Sequence, residues 1–160
     1  MSEFLADMII KKIDEARYFY YHLVLVVGPS GSGKTEVLKR VSALTDVPII
    51  NVNLELSKKM LNMSERKRLV ELPLLLSAIA SVGQSDLVLF DNTEILFHPD
   101  LKHDPLRLLQ NLSKSKTIVA SWNGSIVEDY LCYATSDHPE YRRYKIQDFL
   151  ALSVEERPWP

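Results

Sequence analysis

From Phe4 to Ala16 apolar residues recur every three or four positions (Phe4, Leu5, Met8, Ile9 or Ile10, Ile13, Ala16), which predicts an amphipathic helix over 3–19. The next apolar run, HLVLVV at 22–27, has no polar interruption and is rich in β-branched residues. It stops at Gly28 and Pro29 and predicts a strand buried on both faces, as in parallel sheets. Helical spacing returns over 34–44 through Val37, Leu38, Val41 and Leu44. After TDVP, the segment IINVNLEL predicts a second strand, and KKMLNM a turn or short helix. Ser64 is placed to cap a long helix, ERKRLVELPLLLSAIASV, with Pro73 as a kink or restart. DLVLFDN (86–92) predicts a third buried strand. Asp104 and Pro105 then open a helix, PLRLLQNLSKS. TIVASWNG (117–124) predicts a fourth strand, SIVEDYLCYAT a further helix, and EYRRYKI (140–146) a fifth strand.

Strands and helices alternate throughout. The expected fold is therefore α/β, a three-layer structure in which a five-stranded parallel sheet carries helices on both faces. At 160 residues one domain is expected: an N-terminal helix in 1–20, a core over 22–150 and a tail over 151–160. An apolar fraction of 46% and a charged fraction of 25% argue against long disorder. Net charge is −2, so any nucleic-acid or lipid contact would need a local patch. The single cysteine, Cys132, cannot form an internal disulfide and fits a reducing compartment. Acidic residues lie among the apolar ones of the first segment, and the apolar runs are short. Neither a secretion signal nor a membrane span is expected, which points to the cytoplasm.

The chemistry begins where the first strand stops. Gly28, Pro29, Ser30, Gly31, Ser32, Gly33, Lys34 and Thr35 match G-x-x-x-x-G-K-[ST] at every position, with Glu36 next in the helix that follows. Glycines at 28, 31 and 33 allow the backbone to wrap its N–H groups around an anion. The helix starting near Lys34 points its positive end at that anion. Lys34 supplies a charge to the β- and γ-phosphates of ATP, and the Thr35 hydroxyl a ligand for Mg²⁺. Asp91, carried to the carboxyl end of a buried strand by LVLF, completes the metal pair.

Two groups of phosphate-loop proteins differ in where that Asp lies. In small-molecule kinases and GTPases it is commonly on the strand beside the loop strand. In the ATP-hydrolysing group that includes AAA+ proteins another strand is inserted between the two. A strand separates the loop from Asp91 along this chain, and a fourth ends in the polar Asn123, which resembles the AAA+ core. That resemblance makes Asn123 a sensor of the γ-phosphate, although Asn-Gly is also a common turn pair. In the AAA+ pattern a Glu follows the Asp as base for the attacking water. Asn92 stands there instead and can orient water but not accept its proton; the nearest carboxylate is Glu94. Too little chain follows the expected fifth strand for the helical lid of typical AAA+ proteins. Arg142 and Arg143 lie where such proteins carry an arginine finger that reaches a neighbour's nucleotide, with Arg107 in reserve. Adjacent arginines on an extended segment face opposite ways, so at most one would act.

Other features have plainer readings beside a functional one. Lys58, Lys59, Arg66, Lys67 and Arg68 form one basic cluster that could face DNA but also suits a solvated helix face. His22, His98, His103 and His138 show no metal-site spacing with Cys132. Trp122 and Tyr18, Tyr20 and Tyr21 could flank a base or simply pack, and the terminal RPWP is a docking element or a frayed end.

Taken together, GPSGSGKTEVLKR, LVLFDNTEILF in place of an Asp-Glu strand end, IVASWNG, the small size and the missing lid resemble the BrxF family. These are the small AAA+-like phosphate-loop proteins of type III BREX phage-defence systems. The resemblance covers roughly 20–150. It implies a cytoplasmic Mg²⁺-dependent ATPase in a complex that methylates host DNA and blocks phage replication, assembling with itself or with other BREX proteins. Direct contact with DNA stays open. Two alternatives also remain: a small-molecule kinase, and a nucleotide-dependent switch with very low turnover.

Overall fold

The computed structural model describes residues 2–133 and 142–155. Helix α1 (Ser2–Ala16) precedes strand β1 (Leu23–Gly28), helix α2 (Lys34–Thr45) and the short strand β2 (Ile49–Asn51). Helices α3 (Val52–Met60) and α4 (Glu65–Ala80) lead to β3 (Leu87–Asp91), a 3₁₀ turn over Thr93–Phe97, and α5 (Pro105–Leu112). Strands β4 (Thr117–Val127), β5 (Tyr130–Tyr133), β6 (Arg142–Lys145) and β7 (Leu150–Ser153) follow. The fold is α/β, with a mostly parallel open sheet in the order β2-β3-β4-β1-β7. Strand β4 lies between β1 and β3 and pairs in parallel with both.

The uninterrupted apolar strands need cover on both faces, and the helices supply it. Val24 and Val26 of β1, Leu89 of β3 and Val119 of β4 pack against α1 and α2. The alternate residues Leu23, Leu25, Val27, Val88, Phe90 and Trp122 pack against α3, α4 and α5. In α1 the buried residues are Leu5, Ala6, Ile9, Ile13 and Ala16, whereas Phe4 stays partly exposed. Ser64 caps α4 by accepting the Lys67 N–H, and α4 runs on through Pro73 to Ala80. Asp104 caps α5 by accepting the Arg107 N–H.

Four expectations are corrected. IINVNLEL is a strand only over Ile49–Asn51, because Asn51 accepts the Leu54 N–H and caps α3. The period-two spacing of Val52, Leu54 and Leu56 is misleading: the helix buries Val52, Leu56 and Met60 and exposes Leu54. SIVEDYLCYAT is not a helix, as far as Tyr133. Strand β4 continues to Val127 and turns back through Glu128, at φ 58°, into antiparallel β5. Ile126, Val127, Tyr130 and Tyr133 suit that pleated hairpin. EYRRYKI is not the fifth strand of the parallel sheet, since Arg142–Lys145 pairs antiparallel with β5. The fifth parallel strand is β7, which pairs with β1 from Val24 to Val27 and so places core structure in the supposed tail. His138 and RPWP lie outside the described residues.

Where β4 bends into the hairpin, a Cβ on Gly124 would land on the Cys132 carbonyl oxygen, with the Trp122 ring close by. Nothing approaches the corresponding position at Gly83. Gly124→Ala should therefore cost about 1–3 kcal/mol through overpacking. Gly83→Ala should stay within about 0.5 kcal/mol, the ordinary range for a surface change. Urea unfolding of the two variants measures the contrast.

Candidate active site

The carboxyl ends of β1 and β3 bring the expected residues together with Asn123 of β4. Asn123 does not end its strand as expected but lies where β4 leaves β1 and runs on to Val127 in the hairpin. Gly28 pairs with Asn123 in the register between β1 and β4, and Asp91 closes β3 beside Asn51 of β2. Gly28 has no room for a side chain, because a Cβ would strike Ser32 and the side chain of Val154. Val154, whose N–H donates to the Val27 carbonyl, thus walls the loop from the segment after β7. Gly31 (φ 79°) and Gly33 (φ 98°) occupy the left-handed region the wrapped loop demands. Gly33 caps α2 without a side chain, so the first-turn N–H groups receive no side-chain cap. Pro29 and Ser30 are exposed at the loop tip, with the Pro29 carbonyl accepting the Ser32 N–H. Glu36 points to an exposed pair with Lys39 at 3.5 Å, a solvated contact rather than a ligand to phosphate.

Lys34 is only 7% exposed, unusual for a lysine without a carboxylate partner in hydrogen-bond contact. Its ammonium donates to the carbonyls of Gly28 (2.9 Å) and Pro29 (2.7 Å). Burial pushes it below its ordinary pKa, while the carboxylates of Glu94 and Asp91 pull it back up. Thr35 donates its hydroxyl hydrogen bond to Asp91 Oδ2 at 2.7 Å, linking the first turn of α2 to the end of β3. Asn123 Nδ2 donates to Glu94 Oε1 at 2.8 Å. Lysine, threonine, aspartate, glutamate and asparagine thus share one end of the sheet.

Asn92 sits in the left-handed region (φ 54°, ψ 55°), and its carbonyl accepts the Asn53 N–H at 3.1 Å. That backbone accounts for an Asn after Asp91, since Asn tolerates this conformation better than Glu. The same turn brings Glu94 back towards Lys34. Sequence reasoning missed Thr93, 2% exposed, whose hydroxyl donates to the Ser121 carbonyl at 2.6 Å. Nothing in its type or spacing marks it. Val154 was missed as well, although the alternation in LALSV could have revealed β7.

The remaining candidates lie elsewhere. Half-buried Arg142 interacts with the Tyr144 hydroxyl, which donates to Asp104 Oδ1 at 3.0 Å. Burial and then Asp104 hold that phenol well above its usual pKa. Arg143, on the opposite face, covers the Tyr130 ring at 3.7 Å. Arg143 and Arg107 border one cleft of about 430 Å³, which no residue of the phosphate loop lines. Trp122 is fully buried against Phe97 and Tyr144 and donates its N–H to the Cys132 carbonyl, so it is core. Tyr18, Tyr20 and Tyr21 precede β1, one strand length (about 20 Å) from the loop. In the basic cluster, Lys58 pairs with Glu55 at 3.9 Å and Arg68 donates to the Met60 carbonyl.

The donor set fits a nucleotide triphosphate with Mg²⁺. The Ser32 hydroxyl is buried in the loop with no partner, Lys34 retains a third donor, and Asp91 keeps an oxygen that Thr35 does not use. No known family profile and no curated protein sequence matches the chain.

The buried Lys34 makes a pH prediction. Its folded pKa lies below 10.5, so the unfolded chain binds more protons just below that pH and stability rises as pH climbs through the window. Below that window the penalty for burying the charged ammonium is present in full. Lys34→Met should therefore melt no lower than wild type near pH 7, with any advantage narrowing as the pH approaches 10.5. Thermal melts across pH test this; a Lys34→Met variant several degrees less stable at pH 7 would contradict it.

Proposed function

We propose that this protein binds ATP with Mg²⁺ and hydrolyses it, as a phosphate-loop ATPase of the AAA+ type. The observation that carries the reading is the meeting of Lys34, Thr35, Asp91, Glu94 and Asn123 at one strand end, linked by the Thr35–Asp91 and Asn123–Glu94 hydrogen bonds. The strand order supports it over a small-molecule kinase, because β4 is inserted between the loop strand and the Asp91 strand.

In this reading the loop N–H groups and the Lys34 ammonium bind the β- and γ-phosphates, and Thr35 and Asp91 hold the metal ion. Bound Mg²⁺ neutralises charge on the phosphate oxygens. Glu94 takes the proton of a water as the oxygen attacks the γ-phosphorus and the bond to the bridging oxygen breaks, releasing ADP and phosphate. Asn123 orients Glu94 now and the γ-phosphate or water when nucleotide is bound. A charge at the γ-phosphate from an arginine is assigned to another subunit, with Arg142 and Arg143 as candidates on this chain. The resemblance to the BrxF family supplies the setting: a cytoplasmic component of a BREX defence complex, assembled with itself or other BREX proteins, whose nucleotide state drives DNA-directed defence. A low-turnover switch is the second reading, favoured by the Asn123 amide already occupying a Glu94 oxygen.

Glu94→Gln should keep Mg²⁺-ATP affinity within about threefold and lower the hydrolysis rate by about 100-fold or more, the scale of a lost general base. Calorimetric titration together with a phosphate-release assay separates the two effects. Full hydrolysis by this variant would remove Glu94 from its role, and failure of the wild type to bind ATP would remove the function.

A further inference from the structure

Glu94 stands three positions beyond Asp91, and the backbone between them decides whether it can serve the site. After the left-handed Asn92 the chain enters the 3₁₀ turn Thr93–Phe97. Thr93, first in that turn, is buried, and so is Ser121, whose carbonyl accepts the Thr93 hydroxyl at 2.6 Å. Ser121 lies two residues before Asn123 on β4. Asn123 in turn donates to Glu94 at 2.8 Å. Thr93, Ser121, Trp122, Asn123 and Glu94 therefore form a closed ring, with two hydrogen bonds joining two short covalent stretches. Trp122 is fixed in the core by its N–H bond to Cys132 and its contacts with Phe97, so the ring is anchored at its midpoint.

We propose that Thr93 is the positioning residue for this site: its hydroxyl ties the root of Glu94 to the root of Asn123 and fixes the two side chains relative to Lys34. The inference rests on the reading of Glu94 as the base. It gives a reason for a hydroxyl, where an apolar side chain of the same size would fill the buried volume equally well. It also explains how a base displaced from the usual place can act: the turn moves Glu94 forward, and Thr93 removes the freedom that the extra residues introduce. A bond that only held β3 to β4 would affect folding alone and would leave the turnover of folded protein unchanged.

The test is single-turnover ATP hydrolysis with Mg²⁺, beside ATP affinity, for the full chain and four variants: Thr93→Val, Thr93→Ser, Glu94→Gln and the Thr93→Val/Glu94→Gln double variant. Thr93→Val should lower the rate about 10- to 100-fold, the cost of misplacing a catalytic group by about an ångström. Its ATP affinity should stay within about threefold, and Thr93→Ser should restore the rate to within about threefold of wild type. In the Glu94→Gln background, Thr93→Val should cost nothing further, because the group it positions is already gone. Wild-type turnover by Thr93→Val, an equal added loss in the Glu94→Gln background, or loss of affinity that Ser does not repair would each overturn the proposal. Should Thr93→Val fail to fold, Thr93→Cys, similar in size but a much weaker donor, carries the same expectation. A fully active Glu94→Gln overturns both the base and its positioning. An inactive Glu94→Gln beside an active Thr93→Val overturns the positioning alone.

Discussion

The hydrogen bond from Thr35 to Asp91 joins two elements that the chain separates by 56 residues and the sheet by a whole strand. It forms only if β1 and β3 end at matching levels across β4, which the parallel register ensures: Gly28 lies beside Asn123, and Phe90 beside Ala120. A slip of one residue would reverse the faces of Val24, Leu25 and Val26 and break the burial on both sides. The two apolar clusters that hold the sheet therefore also set the position of every polar group at its end.

Electrostatic cost is concentrated at that end. Lys34 is held out of water, with its ammonium on two carbonyls and the carboxylates of Asp91 and Glu94 acting at longer range. Such a group is unfavourable in the free protein, and under the proposed function its cost is the compromise between stability and the binding of nucleotide phosphates. The loop contributes as well: the partnerless Ser32 hydroxyl and the side-chain-free cap at Gly33 leave donors for an anion.

Much of this was legible in the chain. The unbroken apolar runs before Gly28 and Asp91 located β1 and β3, and Ser64 and Asp104 marked helix starts that their side chains do cap. The loop between β1 and α2 was placed correctly because its wrapped backbone forces glycine at Gly31 and Gly33, both at positive φ. The errors have a common physical source: short segments in which local pattern and tertiary context disagree. Val52, Leu54 and Leu56 alternate like a strand, yet the cap at Asn51 makes them a helix. Ser125–Tyr133 carries enough spacing to suggest a helix, yet its β-branched and aromatic residues pair as a hairpin over the Trp122 side of the sheet. Strand β7 is four residues long and was hidden by its place near the end of the sequence. The link between Thr93 and Ser121 could not be read at all, because a buried threonine has no signature until its partner is known.

The most direct test is a single-turnover experiment with the full chain in excess over ATP labelled at the γ-phosphate, with and without Mg²⁺. The account predicts that the label appears as free phosphate, only when Mg²⁺ is present. Label that stays in bound ATP, or that appears on an added nucleoside or nucleotide instead, would contradict it.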